Sequence, residues 1–252
     1  MSTVGAARPM KEWRADLHLH TCLSPCAELE MVPTAIVQRA KTVGLEMIAV
    51  CDHNSFANAA SVARAGEREC LQVLPGVEIT TREEVHLLGL FQPGTDLTSL
   101  QTLIDEHLPG ENDEATFGPQ VLVDEHDEPT ALERKLLIGA TTLTLEQVVD
   151  AIHATGGLAI AAHVDREGFG LIGQLGFIPP ALALDALEVS PRVSPAAWND
   201  RWPTAFPVIT SSDAHRLADI GKSSTTFRTR EASFRDIGSA LVGRNDCKVV
   251  VH

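Results

Sequence analysis

The chain has 252 residues, 44% of them hydrophobic, and a formal charge of −14. That length and composition suit a globular protein with a sizeable core and exclude a disordered or collagen-like chain. Acids outnumber Lys and Arg by 34 to 20, and no Lys or Arg lies between Glu83 and Glu133, so a long nucleic acid held by phosphate neutralisation is not expected as a partner.

The first dozen residues, "MSTVGAARPMKE", lack the apolar centre of a secretory signal, and no apolar run approaches bilayer length. A soluble cytoplasmic protein without a membrane partner is therefore expected. Along the chain, β-rich apolar runs predict strands at 15–20, 47–51, 73–79, 86–91, 158–162, 186–189 and 208–211. Helical patterning predicts helices at 33–43, 58–70, 97–107, 145–154 and 179–184. Pro33 marks one helix start, Thr144 and Gln147 have capping-box spacing at another, and Gly44 and Gly156 are natural stops. Such alternation belongs to α/β folds with a mostly parallel sheet. Residues 92–144, acidic and Gly-containing, read as an insertion of hairpin plus helix within a single domain spanning 1–252. Beyond Ser212 follow a short strand in "SSTTF", a helix near 231–242 and the terminal "CKVVV". Five cysteines in a chain of this kind are thiols or metal ligands rather than disulfides; Cys51 and Cys70 read as small core residues.

The first strand, in "ADLHLHTCLSPCAE", carries Asp16, His18 and His20 on alternate positions, which a regular strand would present on one face opposite Leu17 and Leu19. Burying imidazoles beside a carboxylate is costly without a compensating partner, and a cation is the usual one. The same pattern recurs at the boundaries of other apolar runs. "AVCDHN" ends in Asp52 and His53, "GVEIT" holds Glu78, "EEVHLLGLF" begins with His86, "AAHVDR" holds His163, and "SSDAH" holds Asp213 and His215. In a closed α/β barrel the strand ends meet at one rim. Imidazole with carboxylate suits Zn²⁺, Mn²⁺ or Fe²⁺, and the number of ligands implies two or three such ions.

In these segments, in this order, the chain resembles the polymerase-and-histidinol-phosphatase (PHP) family of metal-dependent phosphoesterases. The resemblance implies a distorted seven-stranded (β/α)7 barrel. It implies a first ion on His18, His20, Glu78 and Asp213, a second on Glu78, His86 and His163, and a third on His53 and His215. Asp16 and Asp52 would orient imidazoles. Where many members add a His or Asp to the third site, this chain has Cys26; either Cys26 ligates as a thiolate, Glu28 substitutes, or the third site stays empty.

The expected activity is that of a phosphoesterase (EC 3.1 class) acting on a small phosphorylated metabolite, a nucleotide or similar phosphomonoester, through a metal-bridging hydroxide. Asp52 is the candidate acid for the leaving group, and Arg166, Lys222 and Arg192 are candidates to bind phosphate. The alternatives are an exonuclease acting on short oligonucleotide ends and an amidohydrolase-type C–N hydrolase. The latter commonly bridges its ions with a carboxylated Lys, where this chain has Glu78.

Overall fold

A computed structural model describes residues 9–201 and 205–250, without the side chain of residue 201. In chain order the elements are β1 (Lys11–Leu19), α1 (Pro33–Thr42), β2 (Met47–Val50), α2 (Ala59–Arg68), β3 (Gln72–Thr80), β4 (His86–Leu90) and α3 (Thr98–His107). A one-turn helix α4 (Glu114–Phe117) and the hairpin β5 (Val121–Val123) and β6 (Pro129–Leu132) follow. Then come α5 (Leu145–Ala154), β7 (Leu158–Ala161), α6 (Leu171–Leu175), β8 (Ala186–Val189), α7 (Pro195–Arg201) and β9 (Val208–Thr210). The last elements are β10 (Thr225–Thr229), α8 (Phe234–Leu241) and β11 (Lys248–Val250).

The main sheet has nine strands in the order β11-β10-β1-β2-β3-β4-β7-β8-β9. Its seven members from β1 to β9 are the seven predicted strands. They curl into a nearly closed barrel, because a parallel bridge between Leu19 and Ala214 joins the end of β1 to the segment after β9. The other two strands, β10 and β11, extend the sheet antiparallel from the first half of β1. β4 runs antiparallel to both β3 and β7. Its first residue, His86, therefore lies at the rim where its two antiparallel neighbours, β3 and β7, end.

The interior is filled by small and medium apolar side chains from all seven strands, including Leu17, Ala49, Leu74, Leu88, Ile160, Ala186 and Ile209. Phe227 and, from α8, Ile237 and Leu241 belong to the same cluster. Outside the barrel, Leu19, Ile48 and Val50 pack with residues of α1 and α2, while Leu87, Ala161 and Leu187 pack with residues of α5. α5 opens with the full reciprocal capping box of Thr144 and Gln147, and the predicted stops Gly44 and Gly156 have left-handed φ of +75° and +78°.

Several expectations are corrected. Residues 179–184 are not helical; Pro179 and Pro180 stand in succession, and a residue preceding proline is disfavoured in the helical region. The short helix of this region is α6, just upstream. The hairpin at 121–132 has no helix between it and α5. Cys70 is exposed, at φ +53° beyond α2, whereas Cys51 is buried, with its sulfur 2.7 Å from where a Cβ on Gly76 would stand. Regular alternation in β1 also fails, because its register with β2 slips between Asp16 and Leu19. Leu17 consequently lies in the interior cluster and Leu19 in the outer layer, so Asp16 and the two histidines do not share one regular face.

Asp16 serves the closure of the ring. Its two carboxylate oxygens accept from the backbone N–H groups of Ser212 and Gly221, both 2.9 Å away, and so tie β1 to the loop carrying Asp213. Replacing Asp16 with Ala would leave two N–H groups without this acceptor. The expected loss is about 2–4 kcal/mol of stability in denaturant unfolding; an unchanged midpoint and slope would show that the clasp is dispensable.

Candidate metal centre

Glu78, at the end of β3, is almost completely buried, and five imidazoles surround it. Its Oε1 lies 2.7 Å from His86 Nδ1 and 3.1 Å from His163 Nε2. Its Oε2 lies 3.1 Å from His53 Nδ1, 3.3 Å from His20 Nε2 and 3.4 Å from His18 Nε2. Asp213 Oδ1 stands 3.4 Å from His18 Nε2, 3.2 Å from His20 Nε2 and 3.6 Å from His215 Nδ1. Backbone geometry strains to bring them together: His163 and Asp213 have φ of +29° and +51°, sparsely populated for residues with a Cβ.

Three overlapping groups offer ligand atoms all within 4.8 Å of one another: His18, His20, Glu78 and Asp213; His53, Glu78 and His86; and His20, His53 and His215. His163 touches Glu78 without completing a group of its own. Cys26 belongs to none of the three. It is exposed as a residue, yet burial of its thiol and the nearby charge of Glu78 push its pKa up to about 12, so without a cation it is a thiol.

The donor set fits divalent cations. Nδ1 of His53, His86 and His163 and Oδ1 of Asp213 are buried without a hydrogen-bond partner. The approaches of His53 and His86 to Glu78 are close but lack hydrogen-bonding geometry, as donors converging on a shared centre rather than on each other would. Charge points the same way. Burial opposes protonating His18, but the charges of Glu188, Asp213 and Glu78 overcome it and raise its pKa well above the ordinary value. For His20, burial is likewise outweighed by the adjacent carboxylates of Asp213 and Glu78, which lift it to about 9. Despite burial, the imidazoles hold both Glu78 and Asp213 well below the usual carboxylate range. His53 and His215 are pushed down, chiefly by burial, His215 to about 4. The buried carboxylates thus require positive charge, supplied by protons or by cations.

Behind these groups sits a layer that orients them. His18 Nδ1 is 3.0 Å from Glu188 Oε1, a buried β8 carboxylate that also accepts from the His163 N–H. Sequence reasoning missed Glu188; the available signal was one acid inside the apolar run "ALEV". His20 Nδ1 contacts Ser24 Oγ at 2.9 Å, and Ser24 in turn donates to Asp52 Oδ1 at 2.7 Å. Asp52 also accepts from the Thr21 N–H and hydroxyl, so both its oxygens are engaged in holding the loop after β1. Arg166 Nη1 lies 2.7 Å from Asp213 Oδ2, which places a half-exposed guanidinium beside the cluster. Lys222 is exposed and paired with Asp219, and Arg192 is exposed, its backbone N–H meeting Ser190 Oγ.

Comparison with known proteins agrees with this arrangement. The PHP domain matches residues 16–167, and a PHP-associated domain matches residues 204–244. The chain belongs to the PHP family. Its nearly closed α/β barrel is the fold of that family. It is 27% identical over 201 residues to the 5′-3′ exoribonuclease Rnm of Escherichia coli, covering 60% of this chain and 65% of that protein. The lesion-specific endonuclease EndoQ of Pyrococcus furiosus superposes with a TM-score of 0.69 at 16% identity, covering 95% of this chain and 58% of that one. An Endonuclease Q complex with a 27-mer duplex carrying an abasic lesion gives a TM-score of 0.64 at 16% identity, covering 94% and 58%. The chain thus spans less than two thirds of the length of these relatives.

These relatives overturn the exclusion of long nucleic acid as a partner. Net charge averages over the whole surface, whereas a scissile phosphate responds to the few charges beside it, and cations at a site invert the local field. Among the described residues, no helix is long and apolar enough to cross a membrane.

Because His18 and His20 hold protons that a cation must displace, Mn²⁺ or Zn²⁺ binding should release protons, and apparent affinity should rise with pH from 7 towards about 9. Calorimetry in buffers of different ionisation enthalpy measures this. Glu188→Ala should weaken binding about 10–100-fold, and pH-independent binding unaffected by that change would contradict the arrangement.

Proposed function

We propose that this protein hydrolyses phosphodiester bonds of nucleic acid, working from a strand end, short oligonucleotides included. The observation that carries this reading is the buried carboxylate–imidazole cluster with its unpartnered nitrogens, in a chain similar to an exoribonuclease and sharing its fold with an endonuclease. The small phosphorylated metabolite expected from the sequence receives no support from these relatives.

In this reading His18, His20, Glu78 and Asp213 would hold one ion, Glu78 with His86 and His163 a second, and His53 and His215 would be left for a third. Bound there, divalent ions supply water activation near neutral pH and neutralise charge on the phosphoryl oxygens. The chain's own residues do the positioning. Glu188 fixes the His18 ring through Nδ1, leaving Nε2 for the centre. Asp52 acts at one remove, through Ser24, on His20; with both oxygens occupied it is a positioning residue rather than the acid expected from the sequence. Arg166 spends one N–H on Asp213 and keeps others for a non-bridging oxygen of the substrate. Glu78 takes the shared position that a carboxylated Lys takes in amidohydrolases, which disfavours that chemistry.

The test is release of nucleotides from a short single-stranded RNA, with Mn²⁺ supplied and then chelated. Chelation and Asp213→Asn should each lower the rate at least about 100-fold, and Arg166→Ala should slow it while leaving metal content intact. Hydrolysis of small phosphomonoesters but of no oligonucleotide would refute the nucleic-acid reading. Turnover unaffected by chelation would refute the metal-dependent one.

A further inference from the structure

The loop between β7 and α6 carries more than a ligand and a cation. Three residues beyond Arg166 stands Phe169, whose ring stacks on His86 with centroids 4.5 Å apart and planes 21° from parallel. It is 43% exposed, although its ring covers a residue of the buried cluster. Its φ is +59°, a conformation unfavourable for a bulky residue. The backbone is held there on both sides. Phe169 C=O accepts from the His86 N–H at 2.9 Å, and Arg166 N–H donates to His163 C=O at 2.9 Å. The two following glycines are packed tightly. A Cβ on Gly170 would lie 2.3 Å from Arg166 O, and one on Gly173 would lie 2.3 Å from Glu167 O. A rigid turn therefore holds a strained aromatic ring at the mouth of the centre, one face on His86 and the remainder towards solvent.

Burial does not explain this ring, because much of it remains in water, where an aromatic side chain gains little. Nor does it complete the ligand set. Nucleobases, however, stack on exposed aromatic rings with little regard to sequence, and a base next to the scissile phosphate must lie close to the cluster. Arg166, on the same turn, faces the cluster at Asp213, so one rigid segment offers a phosphate donor and a stacking surface three residues apart. Beside them the same segment borders a cleft of about 260 Å³ lined by Arg166, Ile172, Val193 and Trp198.

We propose that Phe169 is the platform on which the nucleobase flanking the scissile phosphate stacks, so that the 163–173 turn positions a strand end by base and phosphate together. This deepens the nucleic-acid reading and rests on it. Phe169 is a positioning residue: it acts on where the phosphate lies, not on the reacting atoms.

The experiment compares a short single-stranded RNA with the same oligonucleotide abasic at the nucleotide flanking the cleaved bond, for the wild type, Phe169→Ala and Phe169→Trp, each at full metal occupancy by elemental analysis. The wild type should prefer the base-bearing substrate roughly 5–100-fold in kcat/KM, mainly through KM. Phe169→Ala should abolish that preference, and Phe169→Trp should keep it, with its indole fluorescence quenched on binding. If Phe169→Ala keeps the wild-type preference, or slows both substrates equally, the ring has only a structural role and the inference fails. If the wild type cleaves neither oligonucleotide, the nucleic-acid reading itself has failed; quenching in Phe169→Trp without cleavage would still support the platform.

Discussion

Glu78 is a carboxylate sealed inside an α/β barrel with five imidazoles within 3.4 Å. A buried carboxylate needs hydrogen bonds or positive charge brought to it, and here six histidines and Arg166 converge on Glu78 and on Asp213. Much else in the structure serves that requirement. The β4 strand reverses direction to place His86 at the common rim. The register slip in β1 separates the roles of Asp16 and His18. His163 and Asp213 accept unfavourable backbone angles to reach inward.

The second layer gives the cluster its definition. Were the imidazoles free to turn, they would satisfy one another and the carboxylates by ordinary hydrogen bonds. Instead Glu188 and the Ser24–Asp52 pair fix two rings, and the Asp16 clasp fixes the loop that brings Asp213. Hydrogen bonds still link His18 to His20 and His163 to Glu78, yet Nδ1 of His53, His86 and His163 and Oδ1 of Asp213 stay without partners. That is the sense in which the barrel prepares a place for cations rather than merely containing polar residues.

The sequence made much of this legible because every barrel strand but β8 carries a ligand-type residue at or near one boundary. Strand positions and the residues that meet at the rim follow from that pattern, whereas the closed ring was implied by the family resemblance. What escaped depended on geometry with no period. Glu188 sits alone in an apolar strand and announces itself only by its charge. The slip within "DLHLH" leaves the alternation of residue types intact while changing which way they face. Two adjacent prolines outweighed the apolar spacing that suggested a helix at 179–184. No motif in the local sequence marks Phe169; only the fold sets its ring against His86. The whole-chain charge misled most, since it reports the average surface and not the field at one rim.

The central claim is that this cluster is a multi-cation centre organised around one shared carboxylate. Diffraction from crystals grown with Mn²⁺, recorded on both sides of the Mn absorption edge, tests it most directly. At least two anomalous peaks should appear, each within coordinating distance of a Glu78 oxygen, one of them also against His18, His20 and Asp213. Absence of any such peak at saturating Mn²⁺ and neutral pH, with the imidazoles simply hydrogen-bonded to the carboxylates, would contradict the account.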